Sequence, residues 1–180
     1  MTRKPKNTSG LTLIEMVVTI VVLGVAIPVL LRMWAEVTMK SASAEAVSDA
    51  GFYAQQLMEE IRSKKFDKNA SAPWSSGADF GPDAGQTRSG TGGAGFDDVD
   101  DYNGYQDIPA AGYTRCVTVD YVTPAAGSWN GTCFPGNPVS CSAPACASAN
   151  VTDYKRIIVR VSRNDNLVKD LTLTTVVGPY

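Results

Sequence analysis

Histidine is absent from the 180-residue chain. Its absence removes the commonest general base, any Ser–His or Cys–His nucleophile pair and most catalytic zinc sites. An excess of charge of either sign is also missing. Lys and Arg number 16 against 18 Asp and Glu, a formal net charge of −2, so no broad basic face for nucleic acid is implied. No two of the four cysteines stand in a C-x2-C pair, which argues against a structural zinc site. Only a carboxylate or lysine mechanism would remain for an enzyme, and no spacing suggests one. A non-enzymatic chain without cofactor or metal is therefore expected. At 44% hydrophobic and 19% charged residues, the chain is too apolar for wholesale disorder.

What is present is unevenly placed. Residues 1–10 carry Arg3, Lys4 and Lys6 and no acid, whereas residues 11–31 are apolar except for Glu15 and two threonines. Twenty-one helical residues span ~31 Å, about one hydrocarbon core. The basic flank predicts that the N-terminus stays cytoplasmic. A secretory signal peptide with a cut near Gly24 and Ala26 is the plainer reading. Two features oppose it: a carboxylate lies inside the apolar run, and the helical pattern does not stop there. Val47, Ala50, Ala54, Leu57, Met58 and Ile61 recur at mostly three- and four-residue steps, the spacing of one helix face. Glu45, Asp49, Gln56, Glu59, Glu60 and Lys64 fall on the other face, with Glu60 and Lys64 at i,i+4. One helix over residues 11 to about 66 is predicted, ~80 Å long, with Gly24 and Pro28 as its weak points.

Lys6-Asn7-Thr8-Ser9-Gly10 followed by Leu11-Thr12-Leu13-Ile14-Glu15 resembles the prepilin leader of type IV pilins and type II secretion pseudopilins. The likeness lies in a short basic leader, a terminal glycine, a T-L-I-E run and a glutamate five residues past the glycine. It implies cleavage after Gly10 by a prepilin peptidase and N-methylation of Leu11 by the same enzyme. It also implies an inner-membrane stage with the C-terminal domain in the periplasm, then assembly with other pilin subunits into an extracellular filament. Leu11 stands where phenylalanine or methionine is more usual, and Pro28 lies four residues ahead of Arg32, where the family commonly has its proline. An intramembrane carboxylate is costly and marks a functional residue. Glu15 is accordingly expected to guide assembly by meeting the Leu11 ammonium of a neighbouring subunit, fixing axial register as single buried polar groups do in coiled coils.

Residues 67–111 read as a glycine- and serine-rich connection without apolar periodicity, long enough to be functional or mobile. Strand patterns follow at 113–122, 154–162 and 167–177, with Arg163-Asn164-Asp165-Asn166 as a hairpin turn. The expected fold class is α+β: a long helix packed on an antiparallel sheet of three to four strands over residues 112–180. This is also the arrangement that the pilin resemblance implies. Cys116, Cys133, Cys141 and Cys146 all follow the apolar segment and are expected to form two disulfides in an oxidising compartment. Of the three possible connectivities, Cys141–Cys146 with Cys116–Cys133 is favoured.

Asp97, Asp98, Asp100 and Asp101 stand within five positions and repel unless solvated or neutralised. Calcium would suit such oxygen ligands, but the EF-hand spacing fails, and a solvated acidic turn is the expectation. This run, the Gln55-Gln56-Leu57-Met58-Glu59-Glu60-Ile61-Arg62 helix and the Lys155-Arg156-Ile157-Ile158-Val159 strand resemble the D-type minor pilins of the mannose-sensitive haemagglutinin (MSHA) pilus. Two other readings stand beside a minor pilin for attachment: a pseudopilin in a periplasmic piston, and a tip adhesin or DNA-uptake module. Loss of the three leader cations would leave 13 basic side chains against 18 acidic ones, which speaks against DNA.

Overall fold

A computed structural model describes residues 12–131, 141 and 150–179. The chain divides between Ala44 and Glu45 into two compact units. Among the described residues one α-helix, α1, Leu13–Arg62, contributes to both and continues through Gly24 and Pro28. Its N-terminal part is apolar on every side, and every residue from Leu13 to Val22 is exposed. From Ala46 onward one stripe is buried: Ala46, Ala50, Ala54, Leu57, Met58 and Ile61. Val47, predicted for that stripe, is exposed. Ala46 takes its place because steps of four from Ala46 to Ala54 keep small side chains on the sheet side. Their size lets the backbone approach closely.

Within the second unit the sheet is antiparallel throughout. Its strands are β1 (Gln106–Asp107), β2 (Tyr113–Ala125), β3 (Ser128–Gly131), β4 (Lys155–Arg163) and β5 (Leu171–Val177). The order is β1-β2-β4-β5, and β3 pairs with the far end of β2. Val117 sits opposite Val159 and Val119 opposite Ile157. This face, with Tyr113 and Val161, meets the buried stripe of α1 in one core. Helix on antiparallel sheet is the α+β architecture expected from the sequence.

Three parts differ from the sequence-based expectation. Strand β5 begins at Leu171 rather than at 167, because Val168 is buried in the turn and its carbonyl accepts from the Arg163 amide. Asn166 takes a positive φ of 60° there, a conformation asparagine tolerates. Second, β2 runs to Ala125 and turns back through Ala126 and Gly127 (φ 75°) into β3. Third, the 67–111 connection is built into the core. Phe96, Val99 and Tyr102 are buried, the Lys65 and Val99 amides tie the helix end to the acidic run, and Gly104 and Tyr105 hydrogen-bond to Val117. Two short 3-10 turns, Gly92–Ala94 and Asp100–Tyr102, lie within it. Aromatics at irregular spacing carry this packing, so a search for helix or strand periods does not find it.

Gly131 closes β3 over the sheet face away from the helix. A Cβ there would lie 2.3 Å from Asp120 Oδ2 and 2.9 Å from an Arg156 guanidinium nitrogen. Those two groups form a buried ion pair at 2.8 Å. Gly131→Ala is expected to lower stability by roughly 1–3 kcal/mol through overpacking, measured as a fall in the urea midpoint of the detergent-solubilised chain. An unchanged midpoint would show that the β3 hairpin yields freely.

Candidate functional site

Two places carry unusual chemistry. The first is the start of α1. Glu15 lies in its first turn, exposed among exposed apolar neighbours, and among the described residues it makes no ion pair with another side chain. Thr19 donates its hydroxyl to the Glu15 carbonyl at 2.7 Å, which satisfies a polar group within an apolar stretch. Leu13, Ile14, Val25, Leu31 and Trp34 are all more than 60% exposed. A helix apolar all round needs lipid or other helices around it, and this one is long and apolar enough to cross a membrane. Gly10 and Leu11, the expected cleavage and methylation residues, lie outside the described residues, as do Cys133 and Cys146.

The second place is the acidic run, which is not a solvated turn. Asp98, Asp100 and Asp101 are buried and only Asp97 is exposed. Asp98 Oδ1 accepts the amides of Asp100 and Asp101, and Asp101 Oδ2 accepts those of Asp97 and Asp98. The carboxylates thus stand in for the carbonyl acceptors that a tight turn lacks. Oxygens of Asp97, Asp98 and Asp101 come within 4.8 Å of one another, but the backbone already engages two of the three residues.

Counter-charge comes from β4. Lys155 is fully buried. Its Nζ donates to the Phe66 carbonyl at 2.7 Å and to Asp67 Oδ2 at 2.8 Å, and lies 2.5 Å from Asp100 Oδ1. The rings of Phe66, Phe80 and Tyr121 surround it, the nearest centroid 4.4 Å away. Burial pushes Asp67 up, but hydrogen bonds from Lys155 and from the Asn69 and Ser75 amides outweigh it and leave Asp67 below its usual range. Burial raises Asp100 to about 7 against the pull of Lys155. Burial, with Asp101 beside it, raises Asp98 to about 6.

Protonation of Asp98 is linked to folding. Its folded-state value lies above its ordinary value of 3.8, so folding favours the protonated acid. That contribution is complete below about pH 4 and is lost as pH rises through 6. Asp98→Asn keeps an oxygen acceptor for the two amides and removes the ionisation. The variant is expected to gain stability over the parent between pH 5 and 8, on the order of 2 kcal/mol, measured as a difference in thermal midpoint. Parallel pH profiles for the two proteins would contradict this.

A second polar network joins α1 to the connection and the sheet. Arg88 bridges Glu60 of α1 and Asp107 of β1. Arg115 of β2 holds both Asp107 oxygens at 2.7 Å and donates to the Tyr53 carbonyl at 3.0 Å. Tyr102 donates to Glu60 at 2.8 Å. The hydrogen bond from Arg88 holds Glu60 below its usual range despite burial. Glu60, expected on a solvated helix face, is thus the helix's anchor for the connection.

Cys116 of β2 is bonded to Cys141, with 5.4 Å between their Cα atoms. This corrects the expected connectivity: neither Cys116–Cys133 nor Cys141–Cys146 is compatible with it. Short spacing in sequence favours the local pair. The sheet instead brings Cys141 beside β4, where its Sγ lies 4.0 Å from the Arg160 carbonyl, next to the Cys116 partner position.

The arrangement is that of an α+β protein with an apolar N-terminal helix segment on which the one charged residue before Arg32 is an acid in the first turn. The family model for the prokaryotic N-terminal methylation motif matches residues 5–27. The chain therefore carries a type IV prepilin-like N-terminus, the kind of substrate that a prepilin peptidase processes. No curated protein and no solved structure matches the chain.

Proposed function

We propose that this chain is a structural subunit of an extracellular type IV pilus, a minor pilin similar to the D-type subunit of the MSHA pilus. A prepilin peptidase cuts after Gly10 and methylates Leu11. The helix then holds the subunit in the inner membrane, with the sheet unit in the periplasm, until assembly. In the filament, helices replace lipid around the apolar segment and the sheet unit faces outwards. One observation carries the reading: the methylation motif over residues 5–27 leads straight into a helix whose apolar residues are exposed on all sides.

The acidic run and the Lys155 strand resemble those of D-type minor pilins in sequence, which favours a pilus over a secretion piston. The burial of that run makes the likeness one of architecture, not of an exposed adhesive loop. Gly10→Val is expected to leave a full-length precursor in the membrane fraction, while the parent chain is found shortened in sheared filaments by mass spectrometry. Parent chain absent from sheared filaments but present in a periplasmic secretion complex would move the assignment to a pseudopilin.

A further inference from the structure

The Lys155 site holds more acid than its one cation can neutralise. Asp67 and Asp100 both lie against Nζ, and Asp98 is near enough to act on Asp100 electrostatically. Tyr121 closes one side, its hydroxyl 3.4 Å from Asp67 Oδ2. Charges buried this way gain little over neutral groups of the same shape, because desolvation offsets their attraction. The contact to Asp100 is also unusual in geometry. Nζ lies 2.5 Å from Oδ1, yet neither Asp100 oxygen has a partner in hydrogen-bond geometry among the described residues. The amine nitrogen therefore sits beside the carboxyl group but off the direction of a hydrogen bond. Asp67, by contrast, is fixed by the Asn69 amide and by the Ser75 amide and hydroxyl.

We propose that Lys155 and Asp100 condense to an intramolecular isopeptide bond, with Asp67 as the proton acceptor. Asp67 takes a proton from the ammonium, leaving an amine whose lone pair attacks Cγ of protonated Asp100. The new N–C bond forms and one C–O bond breaks. The departing oxygen carries away its own proton and a second one from nitrogen, as water. One amide N–H remains, Asp67 holds the third lysine proton, and nothing is oxidised or reduced. The raised value of Asp100 fits the acid form that the step requires. Two groups held in contact react with an effective molarity of ~10⁵ M or more, and the aromatic walls limit the return of water. The product replaces an ion cluster by a neutral amide and ties the Asp100–Tyr102 turn covalently to β4.

The test is peptide mapping of the full-length chain, purified in detergent, reduced and alkylated. The expected result is one branched peptide joining the segments around Asp100 and Lys155, lighter by one water than its two parts, with no tryptic cut after Lys155. Asp100→Asn should give the same branched peptide by losing ammonia instead. Lys155→Met cannot form it, and Asp67→Asn should reduce its yield at least tenfold. Recovery of two separate unmodified peptides from the parent chain would overturn the proposal, whatever the variants do, and leave a buried ion cluster. The outcome does not depend on the filament reading, since the mapping needs only the folded chain.

Discussion

Glu15→Ala is expected to leave the chain inserted, cleaved and folded, but largely missing from filaments. Helices that leave lipid for a filament core pass between media of similar polarity, so apolar burial alone gives little preference for one register over another. A carboxylate in that environment is expensive without a partner, and the Leu11 ammonium exposed by cleavage of a neighbouring subunit is a partner of the right sign. Glu15 stands in the first turn of α1, surrounded by exposed Leu13, Ile14, Met16 and Val17, so the acid alone marks a position along that surface. Losing roughly 1.4 kcal/mol of register preference lowers incorporation about tenfold at each competition with a correctly paired subunit. Glu15→Gln keeps the shape and loses the charge, and is expected to behave as the alanine variant does. Comparing membrane and sheared-filament fractions checks this. Parental amounts of both variants in filaments would assign assembly to apolar packing alone.

Cys141→Ser is expected to cost the sheet unit about 3 kcal/mol. The bridge to Cys116 closes a loop of sequence separation 25, and its removal restores to the unfolded chain the freedom that closure takes away. Cys116 is buried on β2, so the variant also leaves a thiol with no room to move. Reduction of the parent protein is expected to lower its denaturant midpoint at least as far as the substitution does. A non-reducing peptide map should show the Cys116–Cys141 link, and a Cys116–Cys133 peptide would contradict the structure.

The sequence shows the helix well because its two signals are strong: an unbroken apolar run, then a 3.6-residue stripe. The central strands are equally plain, since Ile157, Val159 and Val161 alternate with Arg156, Ile158 and Arg160. The connection is not legible. Phe96, Val99 and Tyr102 are buried although their surroundings are glycine, serine and aspartate, and composition alone reads such a stretch as loop. Four aspartates in five positions look solvated until a lysine 55 residues further along the chain reaches Asp100. That contact depends on β4 lying beside β2, which no local pattern encodes. The disulfide fails for the same reason: sequence spacing favours the nearest cysteine, whereas strand register decides which one arrives. Gly10, Leu11 and Glu15 are the opposite case. Their meaning lies in the order of residues that an enzyme reads, and the motif match over residues 5–27 comes from sequence.

The most direct test is the N-terminal mass of the mature chain taken from cells that carry the prepilin peptidase. The expected first residue is Leu11, N-methylated, with the ten leader residues gone. A chain that begins near Ile27 would instead show a signal peptidase cut within the apolar segment, and would remove Glu15, the filament helix and the pilin assignment together.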